Sequence, residues 1–386
     1  MNPSMERHLH LISFDIPYPA DYGGVIDVFY KIKALFNLGI NVHLHAYEYG
    51  RGHAEELDKY CFSVDYYIRP KGLAYAIKSI PYIIATRNSE RLLENLLKDE
   101  YPILFEGIHT CLLMNRSELA SRKKYVRAHN VEHDYYRYLS KSTRSIYKSM
   151  FFNIEARKLK KYEQIISKAD AIFPISVNDL EYFKSLYSNV ILLPAFHESD
   201  QILSLSGRGD YLVYHGNLSV EENEKAALFL IQKVFSRIST RCILTGKNPS
   251  TKLLEAAANI DHIEIIANPS DRQIHQLIQE AHINVLPTFQ DTGIKLKLLK
   301  SFSTGRFCLG NSMMVKNTGL EDLCSIKEEA EEMIQEIGKL MELEFSPKMI
   351  MERQALWDQL FSKERGAHIL MNEIFPSLDS SERDGR

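Results

Sequence analysis

The sequence predicts an α/β protein built from two Rossmann-like halves, and three observations lead there. Short apolar or alternating runs are separated by stretches of helical periodicity along nearly the whole chain. The pattern breaks once, over a polar stretch at 195–209, and then restarts. At 386 residues the chain is too long for one ordinary domain and comfortable for two. Strands that alternate with helices in this way make parallel sheets covered on both faces.

The first half opens with a strand over 8–14 and a loop over 15–24 that carries Pro and Gly. On the helix that follows, Val25, Val28, Phe29, Ile32, Leu35 and Phe36 recur at helical spacing, and Gly39 stops it. Strands are expected over 40–47, 64–68, 103–106 and 124–129, with a helix over 89–97. A long helical stretch covers 143–167, then come a strand over 171–175, a helix over 178–186 and a short strand over 190–194. In the second half, strands over 211–215, 241–245, 262–266, 283–287 and 306–309 alternate with helices over 222–237, 250–258, 272–281 and 294–302. Helical segments over 326–343 and 347–372 close the chain. The expected division is 1–194, 195–346, a crossover helix over 347–376 that packs back on the first half, and a polar tail over 377–386.

Composition narrows the function classes. Hydrophobic residues at 45% and charged residues at 25% exclude a disordered or fibrous chain. A net charge of −3 gives no global basicity, so nucleic acid is not an expected partner. Cys61, Cys111, Cys242, Cys308 and Cys324 form no C-x-x-C pair and have no His at zinc spacing, which predicts reduced thiols in a cytoplasmic protein. The N-terminus lacks a signal-peptide pattern, and no run approaches the roughly 18 apolar residues of a membrane span.

Ligands of open parallel sheets bind beyond the carboxyl ends of the strands. Five clusters of unusual residues fall there. Asp21, Tyr22, Gly23 and Gly24 precede the first helix, where glycines admit close backbone approach and the helix start offers N–H groups. Glu106, Gly107 and His109 gather at the end of one strand, and Arg127, His129, Asn130, Glu132 and His133 at the end of the next. The latter run is too irregular for HExxH, which excludes a zinc-protease reading. His215, Gly216 and Asn217 lead into Glu222 and Asn223, and Lys247 ends the next strand. The fifth cluster runs from Pro287 through Asp291, Thr292, Gly293 and Ile294 to Lys295 and Lys297 at a helix start, a pattern suited to a pyrophosphate. The two lysines leave the helix about 200° apart, so both cannot face one phosphate squarely.

At these residues the chain resembles the family-4 glycosyltransferases of the GT-B class. The resemblance is carried by Pro17-x-Pro19 with Gly23-Gly24, by Tyr214-His-Gly-Asn-Leu218, by Leu244-Thr-Gly-Lys-Asn-Pro249, and by Gly293-Ile-Lys-Leu-Lys-Leu-Leu299 followed by Gly305. It implies two Rossmann-like domains facing a cleft and a retaining, metal-independent hexosyl transfer, with no cofactor beyond the nucleotide-sugar donor. The acceptor would be a saccharide or lipid-linked glycan, in surface polysaccharide or lipopolysaccharide assembly. By the same resemblance His129 reaches the donor sugar, and Asp291, Thr292, Gly293 and Ile294 contact sugar and diphosphate. Lys297 is the helix cation, Ile265, Ile266 and Ala267 form the base-binding stretch, and Gly23, Gly24, His109, Asn130 and Glu132 lie on the acceptor side.

One departure stands out. Many relatives carry two glutamates eight positions apart, the second gripping ribose, and here those positions are Thr292 and Lys300. A lysine cannot accept hydrogen bonds from ribose hydroxyls. Either another residue such as Glu321 binds ribose, the nucleotide sits differently, or activity is lost. A degenerate scaffold and a nucleotide-sugar epimerase are the rival readings. Separately, basic residues interleaved with Tyr147, Met150, Phe151 and Phe152 over 137–168 suit either a solvated helix with core aromatics or a peripheral contact with the inner face of a membrane.

Overall fold

The computed structural model describes residues 6–143, 145–289, 295–316 and 318–376. The chain forms two units. One runs through Glu198 and takes in the chain again from Phe361, and the other holds the described residues between Ser199 and Leu360, Lys295 onward included.

In the first unit six strands form one sheet: β1 (Arg7–Ser13), β2 (Ile40–Glu48), β3 (Ser63–Ile68), β4 (Ile103–Glu106), β5 (Lys124–Ala128) and β6 (Ala171–Pro174). Their order is β3-β2-β1-β4-β5-β6, and every pairing is parallel. Both faces are buried, as parallel strands require. Leu9, Leu11, Val42 and Leu44 enter one core with Val28 and Ile32 of the helix Gly23–Asn37, while Ile12, Ile103 and Phe105 enter the other. The last helix, Lys363–Ile374, adds Ala367, Leu370 and Ile374 to the first of these cores.

The second unit repeats the plan. Its strands are β7 (Tyr211–His215), β8 (Arg241–Gly246), β9 (Ile263–Ala267), β10 (Ile283–Leu286), β11 (Phe307–Gly310) and β12 (Ser325–Ile326). They lie in the order β12-β11-β10-β7-β8-β9, all parallel. Counted from its own first strand, this is the same order as in the first unit. In each, the first and fourth strands are neighbours, so the loops after them part and leave the crevice where ligands of such sheets bind.

Four expectations need correction. Residues 190–194 run beside β6, where the Ile191 and Leu193 N–H groups donate to the Ile172 and Pro174 carbonyls. They make only one bridge, however, Val190 to Ile172, and Arg127 takes the Leu193 and Pro194 carbonyls. The first unit runs on past 194, since the Phe196 N–H donates to Asp27 (2.8 Å) and Ala195 and Phe196 are buried. The stretch 143–167 is a helix over Ile146–Tyr162, capped by Ser145, then a 3-10 turn over Glu163–Lys168, and a further helix over Glu132–Ser142 precedes it. The segment 347–372 is two helices, Pro347–Phe361 and Lys363–Ile374, separated where the Ser362 hydroxyl accepts the Arg365 N–H (3.2 Å). All five cysteines are free thiols. Among the described residues no helix is long and apolar enough to cross a membrane.

Candidate functional site

The crevice of the first unit is floored by charges with no access to water. Lys31, on the helix Gly23–Asn37, donates from Nζ to Asp27 Oδ2 (2.8 Å) and to Glu106 Oε1 (2.7 Å). Glu106 ends β4, and its Oε2 meets His129 Nε2 at 2.9 Å, just beyond the end of β5. Arg127 completes the chain on Asp27, with Nη2 2.8 Å from Oδ1 and Nε 3.1 Å from Oδ2. Asp27, Lys31, Glu106 and Arg127 have no exposed surface, and His129 is 9% exposed. Burial alone would raise both carboxylic acids. The cations win: Arg127 and Lys31 hold Asp27 well below the usual range, and Lys31 with His129 lowers Glu106. The two carboxylates, Asp27 and Glu106, are matched in number by the Lys31 and Arg127 cations. The hydrogen bond to ionised Glu106 places the imidazole proton on Nε2. Asp27, Glu106 and His129 are close enough to one another to be metal ligands, but the Lys31 ammonium already bridges the two carboxylates.

Above this floor, the loop after β1 carries Asp15. Its carboxylate accepts the Tyr22 hydroxyl (2.7 Å) and the Ile16 N–H (2.8 Å), and it lies 3.4 Å from Arg51 Nε. Burial still raises its pKa. Gly23 and Gly24 start the helix, and the Phe14 ring lies so close over Gly24 that an added Cβ would stand 2.4 Å from Cζ. The same ring contacts His109 and His129, with centroids 5.4 Å away in both cases. His109 follows Gly107, whose φ of +72° turns the chain sharply out of β4. Its buried Nδ1 has no hydrogen-bond partner among the described residues, and its Nε2 is 3.8 Å from Glu132 Oε1. Burial pushes His109 well below its ordinary value and pushes buried Glu132 up to about 7, against the pull of the Asn130 amide, which donates to Glu132 (3.2 Å). A carboxyl group with its pKa near neutrality, such as Glu132, can exchange a proton with a bound hydroxyl.

The crevice of the second unit is built from backbone and one cation. Gly216 follows β7 and packs on the end of β8, where a Cβ on Gly246 would fall 1.6 Å from the Gly216 carbonyl oxygen. Asn217 is spent on its own turn. Its side chain accepts the Ser219 N–H (3.2 Å) and hydroxyl (2.7 Å), and its carbonyl accepts the Asn223 amide (2.9 Å). The helix Leu296–Thr304 starts one residue later than the expected cation pair implies, with Lys295 as its N-terminal flank. Lys297 is half-buried. It donates to Asn223 Oδ1 (2.5 Å) and Tyr214 Oη (3.2 Å), and its Nζ lies 5.0 Å from the Tyr214 ring centroid. Both partners are neutral, and desolvation brings its pKa down to about 8 despite Glu222 nearby. His215, buried beneath, bonds Ser301 Oγ (2.7 Å) and is held neutral by burial and by Lys297 and Lys300.

The remaining expected residues scatter around this core. Lys247 is exposed at the end of β8, and Ile266 and Ala267 finish the edge strand β9. Lys300 is half-buried on the helix of Lys297, and the Glu321 carboxylate accepts the Thr318 N–H (3.3 Å). Asp291, Thr292, Gly293 and Ile294 lie outside the described residues. Sequence reasoning missed Asp27 and Lys31; it gathered Arg127 with His129 at the strand end, but not its bond to Asp27. The available signal was a charged pair one turn apart, Asp27 and Lys31, on the helix face that Val28 and Ile32 mark as core.

No family model matches the chain. A curated relative is 24% identical over 331 residues, covering 80% of this chain and 84% of its own: an uncharacterised 44.6 kDa protein in the cps region of Klebsiella pneumoniae. Among solved structures, sucrose-phosphate synthase from Thermosynechococcus elongatus superposes with a TM-score of 0.67 at 13% identity, over 94% of this chain and 97% of that one. HepE of Anabaena, solved in complex with UDP and glucose, superposes with a TM-score of 0.63 at 10% identity, over 94% and 98%. The fold is therefore the two-domain α/β fold of these proteins.

Proposed function

We propose that the chain is a glycosyltransferase that moves a sugar from a nucleotide-sugar donor to a glycan acceptor. The observation that carries this reading is Lys297, a desolvated ammonium with neutral partners at the start of the helix after β10. Such a cation gains most from an anion that supplies the missing charge. A nucleoside diphosphate leaving group is that anion, and the N–H groups at the helix start add to it. The HepE complex with UDP and glucose makes UDP the nucleotide to test first.

In this reading departure of the diphosphate builds charge on its oxygens, and Lys297 with fixed backbone N–H groups stabilises it without a metal. His129 contacts the donor sugar with its tautomer set by Glu106, and Glu106 stays ionised because Lys31 bridges it to Asp27. Gly23, Gly24, Asn130, His109 and Glu132 line the acceptor side. Retention of configuration, a hexosyl group and a saccharide or lipid-linked acceptor of a surface glycan complete the proposal. The cps-region relative supports the last point. Screening UDP-sugars and other nucleotide-sugars by thermal shift tests it, since a ligand that binds only the folded state raises the midpoint. A panel in which no nucleotide-sugar shifts the midpoint removes the donor from the scheme. Lys300 at the ribose position favours a second reading, a nucleotide-binding scaffold without turnover. Donor hydrolysis measured beside donor binding separates the two.

A further inference from the structure

The helix Ile146–Tyr162 buries Ala156 and Leu159 on one side and leaves large apolar side chains bare on the other. Ile146 is 82% exposed, Tyr147 84%, Met150 60% and Ile154 44%. At about 100° per residue these four fall within an arc of about 100°. Exposed Arg157 and Lys161 continue the same stripe toward the C-terminal end. Single exposed apolar residues are ordinary, but a stripe of them is not.

A second element borders this helix. The short helix Leu73–Ala76 is tied to it through Lys158 Nζ, which donates to the Ala76 carbonyl (2.7 Å). Glu155 accepts the Tyr82 N–H a few residues on (2.5 Å). Leu73 and Ile77 are 87% and 86% exposed there, flanked by exposed Lys71 and Lys78. The charge is one-sided. Glu155 is the acid of the helix Ile146–Tyr162, and it is fully buried and neutralised by Lys158 at 2.8 Å.

We infer that this face of the first unit docks on an anionic lipid surface. Apolar side chains followed by lysines and arginines fit a bilayer interface, where the former dip below the headgroups and the latter meet phosphates. The inference goes beyond the proposed activity, and vesicle binding needs neither donor nor acceptor, so its failure leaves the transferase reading untouched.

The test is flotation of the full chain with phosphatidylcholine vesicles, with and without phosphatidylglycerol, at low and high salt. Binding is expected only to the anionic vesicles, and it weakens with salt because headgroup attraction is screened. Tyr147→Glu with Met150→Glu, and separately Leu73→Glu with Ile77→Glu, should each weaken binding at least about tenfold while leaving the melting temperature unchanged. No binding to anionic vesicles at low salt overturns the inference, as does binding that both double variants retain. It is equally overturned if the variants turn a lipid-free dimer into a monomer, which would assign the face to a second copy of the chain.

Discussion

The two units share one strand order and treat charge in opposite ways. In the first, Asp27, Lys31, Glu106 and Arg127 are fully buried and neutralise one another before any ligand arrives. In the second, Lys297 is desolvated against neutral Asn223 and Tyr214 oxygens, with neutral His215 below it. A balanced network fixes positions, here that of His129. An under-compensated cation waits for an anion. The same topology thus supplies a rigid wall in one unit and a receptive charge in the other.

Breaking the balanced network should have the largest effect. Lys31→Met leaves Asp27 and Glu106 facing each other without their bridge and should cost roughly 3–5 kcal/mol of stability by denaturant unfolding. A loss below about 1 kcal/mol would show that the four charges do not act together. Lys297→Ala should do the reverse, leaving stability nearly intact while turnover falls roughly 10²-fold. Comparison with Lys297→Arg, which keeps the charge, sharpens the point. Gly246→Ala tests the backbone contact under the second crevice. Its Cβ has no room beside the Gly216 carbonyl, and roughly 1–3 kcal/mol should be lost in thermal or denaturant melts.

A smaller effect should appear in the pH profiles, where stability rises with pH in both units but over different intervals. In the first, His10 meets His45 (2.8 Å) and Asp99 (2.9 Å), and His43 meets His8 (2.9 Å), in one cluster on the sheet. Burial lowers His10 and His45, and takes His43 from 6.5 to about 4. The unfolded chain takes up these protons first, so stability is full above pH 6.5 and declines toward about 4. In the second unit Lys297 loses its proton as pH rises through about 8, well below its unfolded value of 10.5. Over that interval the unligated protein gains stability while affinity for a diphosphate falls. Melting temperatures with and without UDP across pH 4–10 would show both trends (roughly the span between the two groups).

Much of the fold is legible in the sequence because buried parallel strands are short apolar runs. Tyr211–His215 and Ile103–Glu106 read directly for that reason. β12 escapes because two residues carry no periodicity. The helix Glu132–Ser142 escapes because its first turn, Glu-His-Asp, reads as a polar strand end. For the site, the ends of β4, β5, β7 and β8 are legible as places, since unusual residues gather there. What each side chain does is not. Glu106 looks like one more polar neighbour until Lys31, 75 positions away, is seen on its carboxylate. Asn217 looks like a ligand group, yet its oxygen closes a turn.

The central claim is that Lys297 meets a diphosphate, and calorimetric titration tests it most directly. UDP and UMP are titrated into the unsubstituted protein and into Lys297→Ala, near neutral pH and again well above pH 8. The claim predicts that UDP binds more tightly than UMP, and that this preference fades in the variant and at high pH alike. A preference for UDP that survives both changes would contradict it.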